Sequence, residues 1–145
     1  MIQKVLLDTN IVIDLIDQRP GFENAARILQ QNSDGKICAC ISFLSMANIS
    51  YVLRKRNPGF TIPTLKQISS ILTVLPMNDE QFQKALLMEG LDFEDILQAM
   101  CAVDNECECI VTRNVKDFQV HGLIKEAPRL LPVYSPQDYL DRFRE

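Results

Sequence analysis

No stretch of this chain comes near the roughly 18 uninterrupted apolar residues that a membrane helix requires, so no membrane-spanning role is expected. The apolar run Val5-Leu6-Leu7 is cut by Asp8 and cannot serve as the hydrophobic part of a secretory signal. A cytoplasmic location is the resulting expectation. Glycine is scarce, with five in the chain, and neither G-x-G-x-x-G nor G-x4-G-K-[ST] occurs. Without such a loop to cradle phosphates, dinucleotide or nucleoside triphosphate binding is not expected. Positive charge is not in excess either. The net charge is −4, which excludes tight nonspecific nucleic-acid binding by charge alone; any such contact must be local or bridged by cations. Histidine occurs once, as His121 before Gly122, and reads as a surface loop residue. The five cysteines lack the C-x2-C spacing of zinc knuckles and fall as Cys38-x-Cys40, Cys101 and Cys107-x-Cys109, mostly in strand-like runs. An odd number in a chain large enough to bury a core argues for reduced, buried thiols over a disulfide framework or a zinc site.

What is present suits one compact domain over residues 1–145, with 47% apolar and 23% charged residues. The elements alternate. Lys4–Asp8 reads as a strand buried on both faces, because its apolar residues run without polar alternation. Helices are expected over Asn10–Gln18 and Phe22–Gln31, then a strand over Ile37–Ile41 and a long helix from Ser42 to Arg56, closed by Asn57-Pro58-Gly59. A helix over Thr64–Leu72 leads to a short strand at Thr73–Leu75, then a helix over Asp79–Glu89 broken at Gly90. Asp92–Asn105 is expected as helix, Cys109–Thr112 and Leu131–Tyr134 as strands, and Ser135-Pro136 as the start of a last helix. Strands separated by helices imply an α/β fold, a parallel sheet with helices on both faces. Ligands of such sheets bind at the carboxyl ends of the strands, which directs attention to the residues just after each strand.

Three such places carry suggestive polar groups: Asp8-Thr9-Asn10, the helix opening Asp92-Phe93-Glu94-Asp95, and Arg113-Asn114-Val115-Lys116-Asp117-Phe118. Several of these have a plain structural explanation. Asp92 with Asp95, Asn114 with Asp117, and Thr9 or Asn10 are all spaced to cap helices. Asp8 is different, since a carboxylate ending a buried strand is costly unless partnered. Carboxylates gathered at one sheet edge raise one another's pKa, and a hard divalent cation with oxygen ligands removes that penalty. Such an ion, held by few carboxylates, lowers the pKa of a bound water and polarises a phosphate, chemistry that suits phosphodiester hydrolysis. Asn48 lies on a face of the long helix read as otherwise apolar, either as a core hydrogen-bonder or leaning toward the site.

These residues, in this order and approximate spacing, resemble a PIN domain over nearly the whole chain. The resemblance rests on Asp8-Thr9-Asn10, Asn48, Asp92-Phe93-Glu94-Asp95 and Thr112-Arg113-Asn114-Val115-Lys116-Asp117-Phe118. It implies a three-layer α/β/α fold with a parallel sheet of four to five strands, and an acidic pocket for Mg²⁺ or Mn²⁺. It further implies an endoribonuclease, with RNA as substrate and with an antitoxin protein as partner where such chains are toxins; homodimers are common among similar chains. Asp8 and Asp95 are implied as metal ligands, completed by Asn114 or Asp117, with Asp92 as a compensating acid. Thr9 and Asn10 orient Asp8 or meet substrate, and Arg113 and Lys116 meet phosphates. The trio Arg54-Lys55-Arg56 serves either substrate or the helix dipole. One departure stands out. Asn48 occupies a place where many family members carry glutamate, so metal affinity should fall and Asn48→Glu should raise it. The competing reading is therefore a catalytically weak or inactive module that binds RNA or protein. A phosphoryl-accepting domain fits less well, because Asp8 has no second aspartate two residues on and no lysine lies in Leu131–Ser135.

Overall fold

The computed structural model describes residues 2–88, 92–118 and 131–143. Five strands, β1 (Gln3–Leu7), β2 (Ile37–Ser42), β3 (Thr73–Leu75), β4 (Cys109–Val111) and β5 (Val133–Tyr134), form one sheet in the order β3-β2-β1-β4-β5. Every neighbouring pair is parallel. The number of strands and their direction agree with the expectation from the alternating elements.

β1 lies at the centre, and its side chains explain the layering. Val5, Leu6 and Leu7 are all fully buried, and alternation sends them to opposite faces. Val5 and Leu7 enter a core with Ile11 and Val12 of α1 (Thr9–Asp17), Ala25 and Ile28 of α2 (Phe22–Ser33), Ile49 and Leu53 of α3 (Phe43–Arg56) and Ile68 of α4 (Thr61–Ile71). Tyr139 and Leu140 of the last helix, α8 (Pro136–Arg142), join the same core. Leu6 faces the other core, with Ala85 of α5 (Asp79–Leu86), Ile96, Met100 and Cys101 of α6 (Phe93–Asp104), and Phe118 of α7 (Val115–Phe118). Three layers result.

Helix starts follow local chemistry. Ser42, Asn78, Asp92 and Ser135 each accept a backbone N–H of the first turn through the side chain, and Asn78 with Gln81 completes a capping box. Helix α4 begins at Thr61, earlier than the expected Thr64, because a 3-10 turn at Pro58–Phe60 leads straight into it. Pro63 is accommodated within the first turn, where its missing N–H costs no hydrogen bond. Gly21, at φ 91°, supplies the left-handed backbone that starts α2.

Winding begins at β1, moves outward to β2 and β3, then returns to lay β4 against the other side of β1. The crevice where direction reverses, at the carboxyl ends of β1 and β4, is where parallel sheets bind ligands. Asp8 leaves β1 there, and its N–H bonds to Val111 O at 2.9 Å. None of the five cysteines forms a disulfide, and all but Cys38 are buried. Burial pushes the Cys109 thiol up to about 12, consistent with an inert, neutral group. Among the described residues no helix is long and apolar enough to cross a membrane.

Candidate active site

Asp8 caps α1, yet it does more than a cap requires. Only 7% exposed, its Oδ1 accepts from Thr9 N at 2.8 Å, and its Oδ2 accepts from the Thr112 hydroxyl at 2.8 Å and from Asn10 Nδ2 at 3.2 Å. Oδ1 therefore keeps an acceptor position. Burial pushes the Asp8 pKa up; the Thr112 and Thr9 bonds oppose the rise, Asp117 adds to it and Arg113 counters it.

Thr112, the residue after β4, is fully buried beneath Asp8. Its hydroxyl oxygen also accepts from Asn114 N at 3.0 Å, tying the turn before α7 to the same carboxylate. Behind them lies a buried polar knot. Thr9 Oγ1 is 2.7 Å from Ser45 Oγ, and Gln98 Nε2 donates to Ser45 Oγ at 2.5 Å. These bonds join α1, α3 and α6, so the three helices that carry the site share one anchor.

The opening of α6 brings three acids. Asp92 is the cap, accepting from Asp95 N at 3.0 Å. Asp95 is pushed up to about 7, by burial first and then by Asp92, Asp8, Asp117 and Glu94. Glu94 is raised as well, by burial and then by Asp8 and Asp92, against a bond from Asn48 Nδ2 at 2.7 Å. Mutual Coulomb effects of this kind follow from carboxylates lying close together.

These carboxylates line a cleft of about 380 Å³. Its acidic and amide lining is Asp8, Asp92, Glu94, Asp95, Asn114 and Asp117; Thr9, Asn10, Ile13 and Val52 contribute, and three arginines, Arg19, Arg56 and Arg113, line it too. Arg113 Nε bonds to Asp14 Oδ2 at 2.8 Å, while Asp17 pairs with Arg19 and with Arg56.

Eight of the ten expected site residues thus meet in one cleft: Asp8, Thr9, Asn10, Asp92, Asp95, Arg113, Asn114 and Asp117. Two placements differ from the expectation. Asn48 does not line the cleft, nor is it a buried amide on an apolar face. The buried stripe of α3 is Ser45, Ile49 and Leu53, which leaves Asn48 one position off, half-buried and bonded to Glu94. Lys116 is exposed on α7 and lies outside the cleft lining. The polar atoms of Thr9 and Asn10 are engaged with Ser45, Asp8 and the Arg113 N–H, an arrangement that suits the expected orienting of Asp8. His121 lies outside the described residues. Glu94, part of the acidic opening of α6 but given no role of its own from sequence, lines the same cleft. Thr112 stands in the motif that carries the resemblance, but its bond to Asp8, 104 positions away, has no local signal, whereas Arg19 pairs with the nearby Asp14 and Asp17.

Among the described residues no three His, Cys, Asp or Glu side chains close tightly enough to enclose a metal ion. The donor set nevertheless fits a hard divalent cation. It is all oxygen, rich in carboxylates that raise one another's pKa, and spread around an open cleft; Mg²⁺-like ions commonly touch one or two carboxylates and keep several waters.

Residues 4–116 match the model of a family described as the PIN domain. Over 125 residues the chain is 31% identical to Ribonuclease VapC1 of Aquifex aeolicus (strain VF5), covering 80% of this chain and 84% of that protein. Its fold is similar to that of VapBC-1 from nontypeable Haemophilus influenzae, with a TM-score of 0.66 and 21% identity over 93% of this chain and 99% of that one. It is similar also to VapBC2 from Rickettsia felis bound to a promoter DNA fragment, with a TM-score of 0.62 and 21% identity over 91% and 98% of the two chains. Nucleases of this type generally depend on a divalent metal. The matched region runs from β1 through Asn48 and the α6 acids into the Asn114 turn, and the chain belongs to the PIN domain family.

Proposed function

We propose that this chain is a divalent-metal-dependent endoribonuclease that uses Mg²⁺ or Mn²⁺ to hydrolyse RNA phosphodiester bonds. The observation that carries this reading is the meeting of Asp8, Glu94, Asp95 and Asp117 in one cleft at the reversal of strand order, with Asp95 pushed up to about 7. The likeness to Ribonuclease VapC1 supports RNA as the substrate. Likeness to VapBC chains and a toxin–antitoxin complex supports a role as the toxin of a cytoplasmic pair, restrained by an antitoxin protein. The whole chain acts as one domain.

In this reading Asp8 and Asp95 hold the ion, with Asp117, Asn114 and Asp92 completing the set directly or through water. Glu94, steadied by Asn48, supplies from α6 the carboxylate that many relatives place on α3. The chemistry such a cation would supply there is Lewis-acid activation of water and neutralisation of phosphate charge. Thr112, Thr9 and Asn10 orient the Asp8 carboxylate by three hydrogen bonds, and those from Thr112 and Thr9 oppose the rise in its pKa. Asp95, pushed up to about 7 without the ion, would give up its proton to bind it.

The test is cleavage of single-stranded RNA by the pure protein with Mn²⁺, beside Asp8→Asn. The expected result is Mn²⁺-dependent cleavage that falls by about two orders of magnitude or more in the variant. Cleavage retained by Asp8→Asn, or absent from the wild type, contradicts the reading; binding of RNA without cleavage favours a non-catalytic module.

A further inference from the structure

The ribonuclease reading leaves unexplained why α1 buries a carboxylate that touches none of the other acids. Asp14 is 5% exposed. Its Oδ2 accepts from Arg113 Nε at 2.8 Å, and its Oδ1 lies 3.8 Å from Arg19 Nη1. A buried carboxylate is retained only with a partner, and here that partner lines the catalytic cleft. We propose that Asp14 is a positioning residue for RNA binding, fixing the Arg113 guanidinium at the cleft so that it grips a phosphate beside the carboxylates. This rests on the ribonuclease reading.

Bonding through Nε uses one of the five donors of a planar guanidinium. Among the described residues the terminal nitrogens of Arg113 have no other partner, and they form the fork that matches two phosphate oxygens. The backbone is fixed as well. Arg113 follows Thr112, which bonds Asp8, and its N–H donates to Asn10 Oδ1 at 3.3 Å. Asp17, one turn after Asp14, holds Arg19 and Arg56 in the same way, so α1 carries two carboxylates that steady three arginines lining one cleft. This arrangement gives a chain of net charge −4 a local cationic wall for a polyanion.

The sign of one substitution tests the idea. Removing a carboxylate near the site should, by charge alone, strengthen RNA binding; removing a positioning group should weaken it. The affinity of a short single-stranded RNA is measured with Ca²⁺ for the wild type, Asp14→Asn, Arg113→Ala and the double variant, with melting curves for each. The expected result is about a tenfold loss for Asp14→Asn and for Arg113→Ala, each with a shallower salt dependence than the wild type. In the Arg113→Ala background, Asp14→Asn should bring no further loss. A merely structural role would lower the melting temperature and leave this coupling absent. Stronger or unchanged binding by Asp14→Asn, or equal losses in both backgrounds, overturns the positioning role and leaves the ribonuclease reading standing. Failure of the wild type to bind RNA at all overturns both.

Discussion

At Asp95 the fold and the proposed chemistry pull in opposite directions. Its pKa of about 7 stands far above the ordinary 3.8, first because it is partly buried and then because Asp92, Asp8, Asp117 and Glu94 surround it. Between those two values the folded protein holds a proton that the unfolded chain releases. Stability of the metal-free protein should therefore fall as pH rises from about 4 to about 7, and Mn²⁺ should restore it. Mn²⁺ must displace that proton, so its affinity should weaken by up to about tenfold per unit as pH drops below 7. Melting curves and calorimetric titrations across that range check both trends, and Asp95→Asn should flatten them. Asn48 is the second residue with a sharp consequence. From sequence alone, Asn48→Glu adds a carboxylate and should raise metal affinity. With Glu94 Oε1 accepting from Asn48 Nδ2 at 2.7 Å, the same change also replaces a hydrogen bond by a like-charge contact. The metal-free variant should melt about 4 °C or more lower than the wild type, and Mn²⁺ should recover more stability in the variant than in the wild type. A variant as stable as the wild type without metal would show that the Asn48–Glu94 bond contributes nothing.

Elements that carry the site are joined from below. The Thr112 hydroxyl bonds Asp8 Oδ2 across 104 positions of sequence and receives Asn114 N, so the end of β4 holds both the first carboxylate and the turn into α7. Thr112→Val keeps the shape and removes both bonds in the interior. It should cost about 1–3 kcal/mol in urea unfolding, because the Asp8 carboxylate and the Asn114 N–H lose a partner. Mn²⁺ affinity should drop with it, since Asp8 is then less well oriented. Wild-type stability in that variant would mean that water replaces the hydroxyl without loss. Helices α1, α3 and α6 meet in the same way through Thr9, Ser45 and Gln98, a contact that sets how the acids proposed to bind metal, after β1 and on α6, face each other.

Across the whole molecule, the parts legible in the sequence were those set by local rules. The unbroken Val5-Leu6-Leu7 run announced a central strand, turn residues at Asn57-Pro58-Gly59 ended α3, and Asp92 announced the start of α6. Strand alternation with helices then fixed the sheet as parallel and placed Asp8, Asp95 and Asp117 at one edge. Pairings between distant segments were not legible. Asp14 with Arg113, Thr112 with Asp8, and Asn48 with Glu94 each depend on packing that no spacing rule encodes. A separate role for Glu94 was not legible either, because acids in a first helical turn are already favoured by the dipole. In the proposed reading, carboxylates from β1's end, α6 and α7 hold one divalent ion between them. Anomalous scattering from crystals grown with Mn²⁺ tests it most directly. A peak within ligating distance of Asp8 and Asp95, with Asp117 or Asn114 facing it directly or through water, is the predicted result. A cleft without a peak at saturating Mn²⁺, or a peak that avoids Asp8, would contradict it.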